Sequence, residues 1–110
     1  MLISRIWHGY TESKNANAYE KLLRSEIFPY IQSKNITGFK GIQLMKKNLA
    51  DETEFITIMW FDSWQAVKDF AGEDYENAVV PEAAQKLLKR YDAVSRHYEV
   101  LIDAASNQKH

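Results

Sequence analysis

His8, His97 and Trp60 carry most of the chemistry that this chain of 110 residues offers. An imidazole titrates near neutrality and can serve as a general base, a ligand or a neutral hydrogen-bonding wall. For both histidines the structural role, a polar group beside apolar neighbours, stands next to the catalytic one. Trp60 presents a broad apolar face that suits either an aromatic ligand or core packing. Tyr19 and Tyr30 fall in a helical pattern and read as pocket-wall or core aromatics rather than catalytic phenols. Glu73, Asp74 and Glu76 are spaced closely enough to suggest a hard metal ion, but they flank a helix start, where solvated carboxylates are favoured, and lack convergent ligands. The chain contains no cysteine, which excludes disulfides, thiol catalysis and thiolate metal ligands.

The charge balance narrows the partners. With 14 basic and 15 acidic residues, and a formal net charge of -1, nothing drives the chain as a whole toward nucleic acid or an anionic membrane. No basic stripe accompanies the aromatic residues, and no apolar run approaches the length of a membrane span. Met1 to His8 lacks the long apolar core and cleavage pattern of a signal peptide, so a cytoplasmic location is expected. Neither a metal nor a cofactor is expected from the residue types.

The elements that must position these residues follow from periodicity. A first strand over Leu2 to Tyr10 places Ile3, Arg5 and Trp7 on one side and Leu2, Ser4, Ile6 and His8 on the other. Thr11 or Ser13 can cap a long amphipathic helix from about Lys14 to Ser33, in which Tyr19, Leu22, Leu23, Ile27, Tyr30 and Ile31 recur at helical spacing. Pro29 removes a backbone donor within that pattern, which predicts a kink or restart near Glu26 to Phe28 and a pocket beneath it. Asn35 to Gly38 forms a turn, and Phe39 to Lys47 a strand that enters a hairpin, with Phe39, Gly41, Gln43 and Met45 on one side. Gly41 marks either a close approach or a bulge.

Glu54 to Phe61 is the strand around which the chain is organised. Phe55, Thr57, Met59 and Phe61 face one way and Glu54, Ile56, Ile58 and Trp60 the other, so neither face is polar. In a small domain this predicts helices on one face and a partner subunit on the other. Asp62 or Ser63 caps a short helix that Gly72 ends, with Gln65 completing a capping box from Asp62. Pro81 opens another helical segment through Tyr91. A last strand from about Ala93 to Ile102 sets Val94, Arg96, Tyr98 and Val100 opposite Ser95, His97, Glu99 and Leu101. These elements form one domain over residues 1–102, followed by a flexible tail from Asp103 to His110.

The order strand, helix, strand, strand, helices, strand is the α+β ferredoxin-like βαββαβ arrangement, an antiparallel sheet with helices on one face. Ile6-Trp-His-Gly9, Thr57-Ile-Met-Trp-Phe-Asp-Ser63, Phe70-Ala-Gly-Glu-Asp-Tyr75, Ala78-Val-Val-Pro81 and Arg96-His-Tyr-Glu-Val100 resemble a bacterial branch of the antibiotic-biosynthesis-monooxygenase-like superfamily, whose members form dimeric α+β barrels. The resemblance spans roughly the first hundred residues and is stronger for fold than for chemistry. It implies a homodimer and, as its leading activity, cofactor-independent monooxygenation of a small aromatic or quinol-like compound by molecular oxygen. Trp60 resembles the tryptophan near the end of the corresponding strand in the family's enzymes. It would shape a pocket between sheet and helices, with Tyr19 and Tyr30 as substrate-binding walls and His8 or His97 assisting phenol deprotonation. The alternative is a noncatalytic dimeric small-molecule-binding or stress-associated protein. A haem-binding or haem-degrading role fits less well. The family's haem enzymes use a histidine on the second helix and an asparagine on the first strand, and Ala66 to Pro81 contains no histidine while the first strand contains no asparagine.

Overall fold

The structure, a computed structural model, describes residues 1–104. In chain order it comprises β1 (Ile3–Glu12), a 3₁₀ turn (Ser13–Asn15), α1 (Ala16–Leu22), a π-helical segment (Leu23–Ile27), α2 (Phe28–Ser33), β2 (Phe39–Asn48), β3 (Glu52–Phe61), α3 (Trp64–Ala71), α4 (Glu82–Gln85), β4 (Arg90–Tyr91) and β5 (Arg96–Glu99). The strands form one antiparallel sheet in the order β2-β3-β1, with β4 and β5 both pairing the free side of β1. This is the expected ferredoxin-like arrangement. Asp103 and Ala104 have no regular structure, and the remainder of the expected tail, 105–110, lies outside the described residues. Among the described residues no helix is long and apolar enough to cross a membrane.

β1 and β3 pair from Ile3 opposite Phe61 to Glu12 opposite Glu52, and their alternation sorts the side chains as the sequence requires. Ile3, Phe55, Met59 and Phe61 are buried on the helix side. Full burial of a phenylalanine such as Phe55 or Phe61 contributes roughly 1.5–3 kcal/mol. The core falls into two clusters. One gathers Ile3, Met59, Phe61, Ala66 and Val67 beneath α3, and the other gathers Ala16, Tyr19, Leu23, Phe55 and Ala84 beneath α1. Ile6, Ile56, Ile58 and Trp60 alternate onto the opposite face, where they are partly exposed and belong to neither core cluster of the described residues.

Pro29 acts as anticipated. Its missing N–H and the clash of its ring with the carbonyl four residues earlier are incompatible with an unbroken α-helix. The chain widens into a π-helical segment at Leu23–Ile27 and restarts as α2, with Pro29 in the first turn. At α3, Ser63 is the cap, its hydroxyl accepting from the Ala66 N–H at 3.0 Å, while Gln65 reaches forward to Asp69 instead of closing a box with Asp62. Gly72 ends α3 at φ 89°.

Four expectations are corrected. Neither Thr11 nor Ser13 caps the first helix: Thr11 belongs to β1, and its buried hydroxyl has no partner among the described residues. Phe39 does not share a side with Gly41, because a register shift between them turns Phe39 into the core against Phe61, with ring centroids 5.7 Å apart. Helix α4 stops at Gln85, since the chain must extend by Arg90 to pair with β1. The last strand is broken. From Gly9 to Ile6 the register on β1 moves three residues while the opposite strand moves five, from Tyr91 to Arg96, so two extra residues bulge out. The bulge is held by Ala78 N–H donating to Ala93 O and Ser95 N–H donating to Glu76 O. It thereby pins the 75–77 backbone against the sheet.

Candidate functional site

Where the two core clusters meet, the π-helical segment stands off from the sheet and leaves a cavity of about 70 Å³. Its walls are apolar: Leu23, Ile27, Phe28 and Ile31 from the helices, Ile42 and Met59 from the sheet, and Phe70, Val80 and Ala84 from the segments that close it. Arg5, Trp7, Tyr19, Thr57 and Ser95 are the lining residues that carry polar groups.

Arg5 is the chemically unusual member. It lies mid-strand between Ile3 and Trp7 on the buried face, and only 4% of it is exposed. Its Nη1 donates to Tyr75 O and lies 2.9 Å from His97 Nε2, and its Nη2 donates to Asn77 O at 3.2 Å. The guanidinium carbon lies 5.4 Å from the centre of the Phe70 ring. No carboxylate of the described residues forms an ion pair with it, so a buried cation is held entirely by neutral acceptors and a ring face. Burial lowers its pKa to about 10, which leaves it charged at neutral pH.

His97 supports this group. Burial, with the Arg5 charge as the smaller cause, lowers its pKa to about 4. The ring is therefore neutral at pH 7, and contact with a guanidinium, which only donates, assigns Nε2 as the acceptor and Nδ1 as the protonated nitrogen. Tyr75 and Trp64 fix the ring orientation, with centroids 5.2 Å and 6.0 Å from that of His97.

Two further wall groups are placed by local geometry. Trp7 lies across Gly9, where a Cβ would come within 2.6 Å of the indole, and its Nε1 donates to Asp92 O in the strand bulge at 2.8 Å. The Tyr19 ring packs on Phe55 at 4.8 Å, its hydroxyl makes no hydrogen bond among the described residues, and burial raises its pKa.

The five candidate site residues read from the sequence do not converge on one cavity. Tyr19 lines the cavity, and His97 stands behind Arg5, on the same side of the sheet. Trp60 and His8 alternate onto the other face: Trp60 pairs with Ser4 and His8 with Ile56, both a residue out of step with the cavity-facing Arg5, Thr57 and Met59. His8 Nδ1 there lies 3.0 Å from Glu54 Oε2, which also accepts from the Tyr10 hydroxyl. Tyr30 is 65% exposed and edges a surface groove outside the cavity. The strict alternation of β3 is the physical reason, since a strand that buries Phe55, Met59 and Phe61 cannot also turn Trp60 inward.

The residues with polar groups that do line the cavity include Arg5, Trp7 and Ser95, none of which stood out as a site residue from the sequence. The available signal was the charge of Arg5 in the middle of an otherwise apolar strand face. Ser95 is buried on the side that alternation shares with His97, but its residue type gave no sign of a place in the cavity wall.

Solved structures with the same architecture fix the fold. A Bacillus cereus protein named as a candidate antibiotic biosynthesis monooxygenase superposes with a TM-score of 0.67 at 14% identity, covering 96% of this chain and 98% of that one. Rv0793 from Mycobacterium tuberculosis superposes with a TM-score of 0.63 at 16% identity, covering 96% of this chain and 100% of that one. The chain has the fold of these proteins. No family model and no curated protein matches it by sequence. The resemblance drawn from the sequence thus holds at the level of the fold, over nearly the whole chain, and identities this low carry no chemistry with them.

Proposed function

We propose that this chain is a cofactor-independent monooxygenase of the cytoplasm that works as a homodimer and oxidises a small aromatic or quinol-like compound between sheet and helices. The observation that carries the reading is the apolar cavity with a buried, carboxylate-free Arg5 in its wall, in a fold shared with a protein named as a candidate monooxygenase. A cation beside a phenol lowers its pKa and stabilises the phenolate, the electron-rich form that reacts with oxygen. A phenol bearing hydrogen at the oxidised carbon supplies all the electrons required. One atom of O₂ becomes the new quinone oxygen, and the other leaves as water with two hydrogens from the substrate. In this scheme Tyr19 donates to the substrate, Arg5 holds the phenolate, and His97 is a positioning residue that keeps Arg5 turned toward the cavity. His8 and Trp60 then belong to the other face of the sheet.

The dimer reading rests on that other face, where Ile6, Ile56, Ile58 and Trp60 are partly exposed and lie outside both core clusters of the described residues. An apolar sheet face of this kind is buried by self-association more readily than left in water. Sedimentation at low micromolar concentration is expected to give a dimer, and a persistent monomer would overturn this part.

The enzyme is tested by oxygen uptake with a panel of quinols and polyphenols, on wild-type protein and on Arg5→Met. Turnover that Arg5→Met abolishes supports the proposal. One observation favours the second reading, a noncatalytic binding or stress-associated protein: the cavity lining includes no histidine or carboxylate that could act as a base. Ligand binding with no oxygen consumption would select it.

A further inference from the structure

Beyond the cavity, the protein surface carries a groove of about 490 Å³ whose lining is mostly apolar, with Leu22, Tyr30 and Ala83 along it and Glu26 and Lys34 also contributing. The groove and the cavity share Ile27, Ile31, Phe70, Val79 and Pro81 as common wall residues, so the two lie against each other beside the helix restart. At Arg5 three hydrogen bonds leave two of the five guanidinium N–H groups, the Nε–H among them, without an acceptor from the described residues. Tyr19, whose hydroxyl makes no hydrogen bond among the described residues, also lines the cavity and offers a second unengaged donor. Groove and cavity together are therefore mostly apolar, with a buried positive charge and unengaged donors on the cavity side.

We infer that the groove and the cavity open into one passage that binds an elongated apolar molecule carrying a single acidic head group, a carboxylate or an acidic phenol, with the head on Arg5 and the body lying out along the groove. The reasoning is electrostatic. A buried cation with only neutral acceptors is incompletely compensated, and an entering anion gains a charge-assisted, forked hydrogen bond in a site of low dielectric. A neutral head would gain one ordinary hydrogen bond at best. A multiply charged head would bring more charge into the apolar walls than Arg5 balances. The size of the inner chamber limits the head to something no larger than a ring or a short chain.

This inference rests on the cavity being the ligand site, as in the proposed function, but not on any reaction with oxygen. The test is isothermal titration calorimetry of the intact protein at neutral pH with 4-butylbenzoate, 4-butyl-2-nitrophenol and the uncharged 4-butylbenzamide. The benzoate, the nitrophenolate or both should bind at least about tenfold more tightly than the amide, which is the scale of a charge-assisted over a neutral hydrogen bond. Arg5→Met should reduce acid binding to the level of the amide while amide binding persists, which also shows that the variant is folded. If that variant does not fold, Arg5→Lys should retain the preference for acid at several-fold weaker affinity, because the charge stays and the fork is lost. Equal or tighter binding of the amide, no binding of any of the three, or an acid preference that survives in Arg5→Met would overturn the inference. Preference for acid without oxygen uptake would leave it standing and remove the monooxygenase proposal. Oxygen uptake on phenols with no acid preference in binding would do the reverse.

Discussion

Replacing His97 by glutamine isolates one consequence of the Arg5 arrangement. Glutamine offers a carbonyl oxygen where Nε2 now accepts from Arg5 but cannot take up a proton. In the wild type the folded pKa is about 4 against an ordinary value of 6.5, with burial as the larger cause and the Arg5 charge as the smaller. Between those two pH values the unfolded chain binds more protons than the folded one, so stability is fully present above pH 6.5 and is lost as pH falls through the window. At 1.36 kcal/mol per pH unit the whole displacement would amount to about 3 kcal/mol, and screening of a partly exposed ring reduces this to on the order of 1–2 kcal/mol. Urea unfolding of both proteins from about pH 7 down to about pH 4 measures it, and the difference between them cancels the carboxylates common to both. The wild type is expected to lose on the order of 1–2 kcal/mol relative to His97→Gln across that range. Parallel profiles would mean that His97 is not held neutral against Arg5.

Other substitutions test separate links. Tyr19→Phe should leave stability nearly unchanged, since the hydroxyl has no partner among the described residues, and weaken binding of an acidic ligand by roughly 5–10-fold, the worth of one hydrogen bond, read by calorimetry. Gly9→Ala puts a Cβ 2.6 Å from the Trp7 ring and should cost roughly 1–3 kcal/mol in urea unfolding while shifting the Trp7 indole resonance. Ser63→Ala removes the hydroxyl that caps α3 and should cost about 1 kcal/mol with no change in ligand affinity. Ile58→Lys places a charge in the centre of the uncovered sheet face and should convert a sedimenting dimer to monomer; an unchanged dimer would place the interface elsewhere.

Much of the architecture was legible because it depends on local rules. The two-sided alternation of Glu54 to Phe61 set the correct faces, Pro29 marked the helix restart and the cavity beneath it, and Ser63 and Gly72 bounded α3. The strand order then followed from the sequence of elements. The site was less legible because it depends on which face of the sheet the helices cover. Trp60 and His8 attract attention by residue type, yet the residues that bury the strands are Phe55, Met59 and Phe61, and alternation sends Trp60 away from them. Arg5 looked like an ordinary charge because its compensation comes from two carbonyls and a histidine some 70 to 92 positions away. The strand bulge near Ser95, which brings those carbonyls into place, has no glycine or proline to announce it.

Trp7 and Trp60 stand on opposite faces of the same sheet and report directly on where a ligand goes. In a ¹⁵N-labelled sample titrated with 4-butylbenzoate, the indole N–H resonance of Trp7 is expected to move with ligand concentration while that of Trp60 stays in place. A Trp60 resonance that moves while Trp7 remains fixed would put the ligand on the uncovered face and contradict the assignment of the site to Arg5.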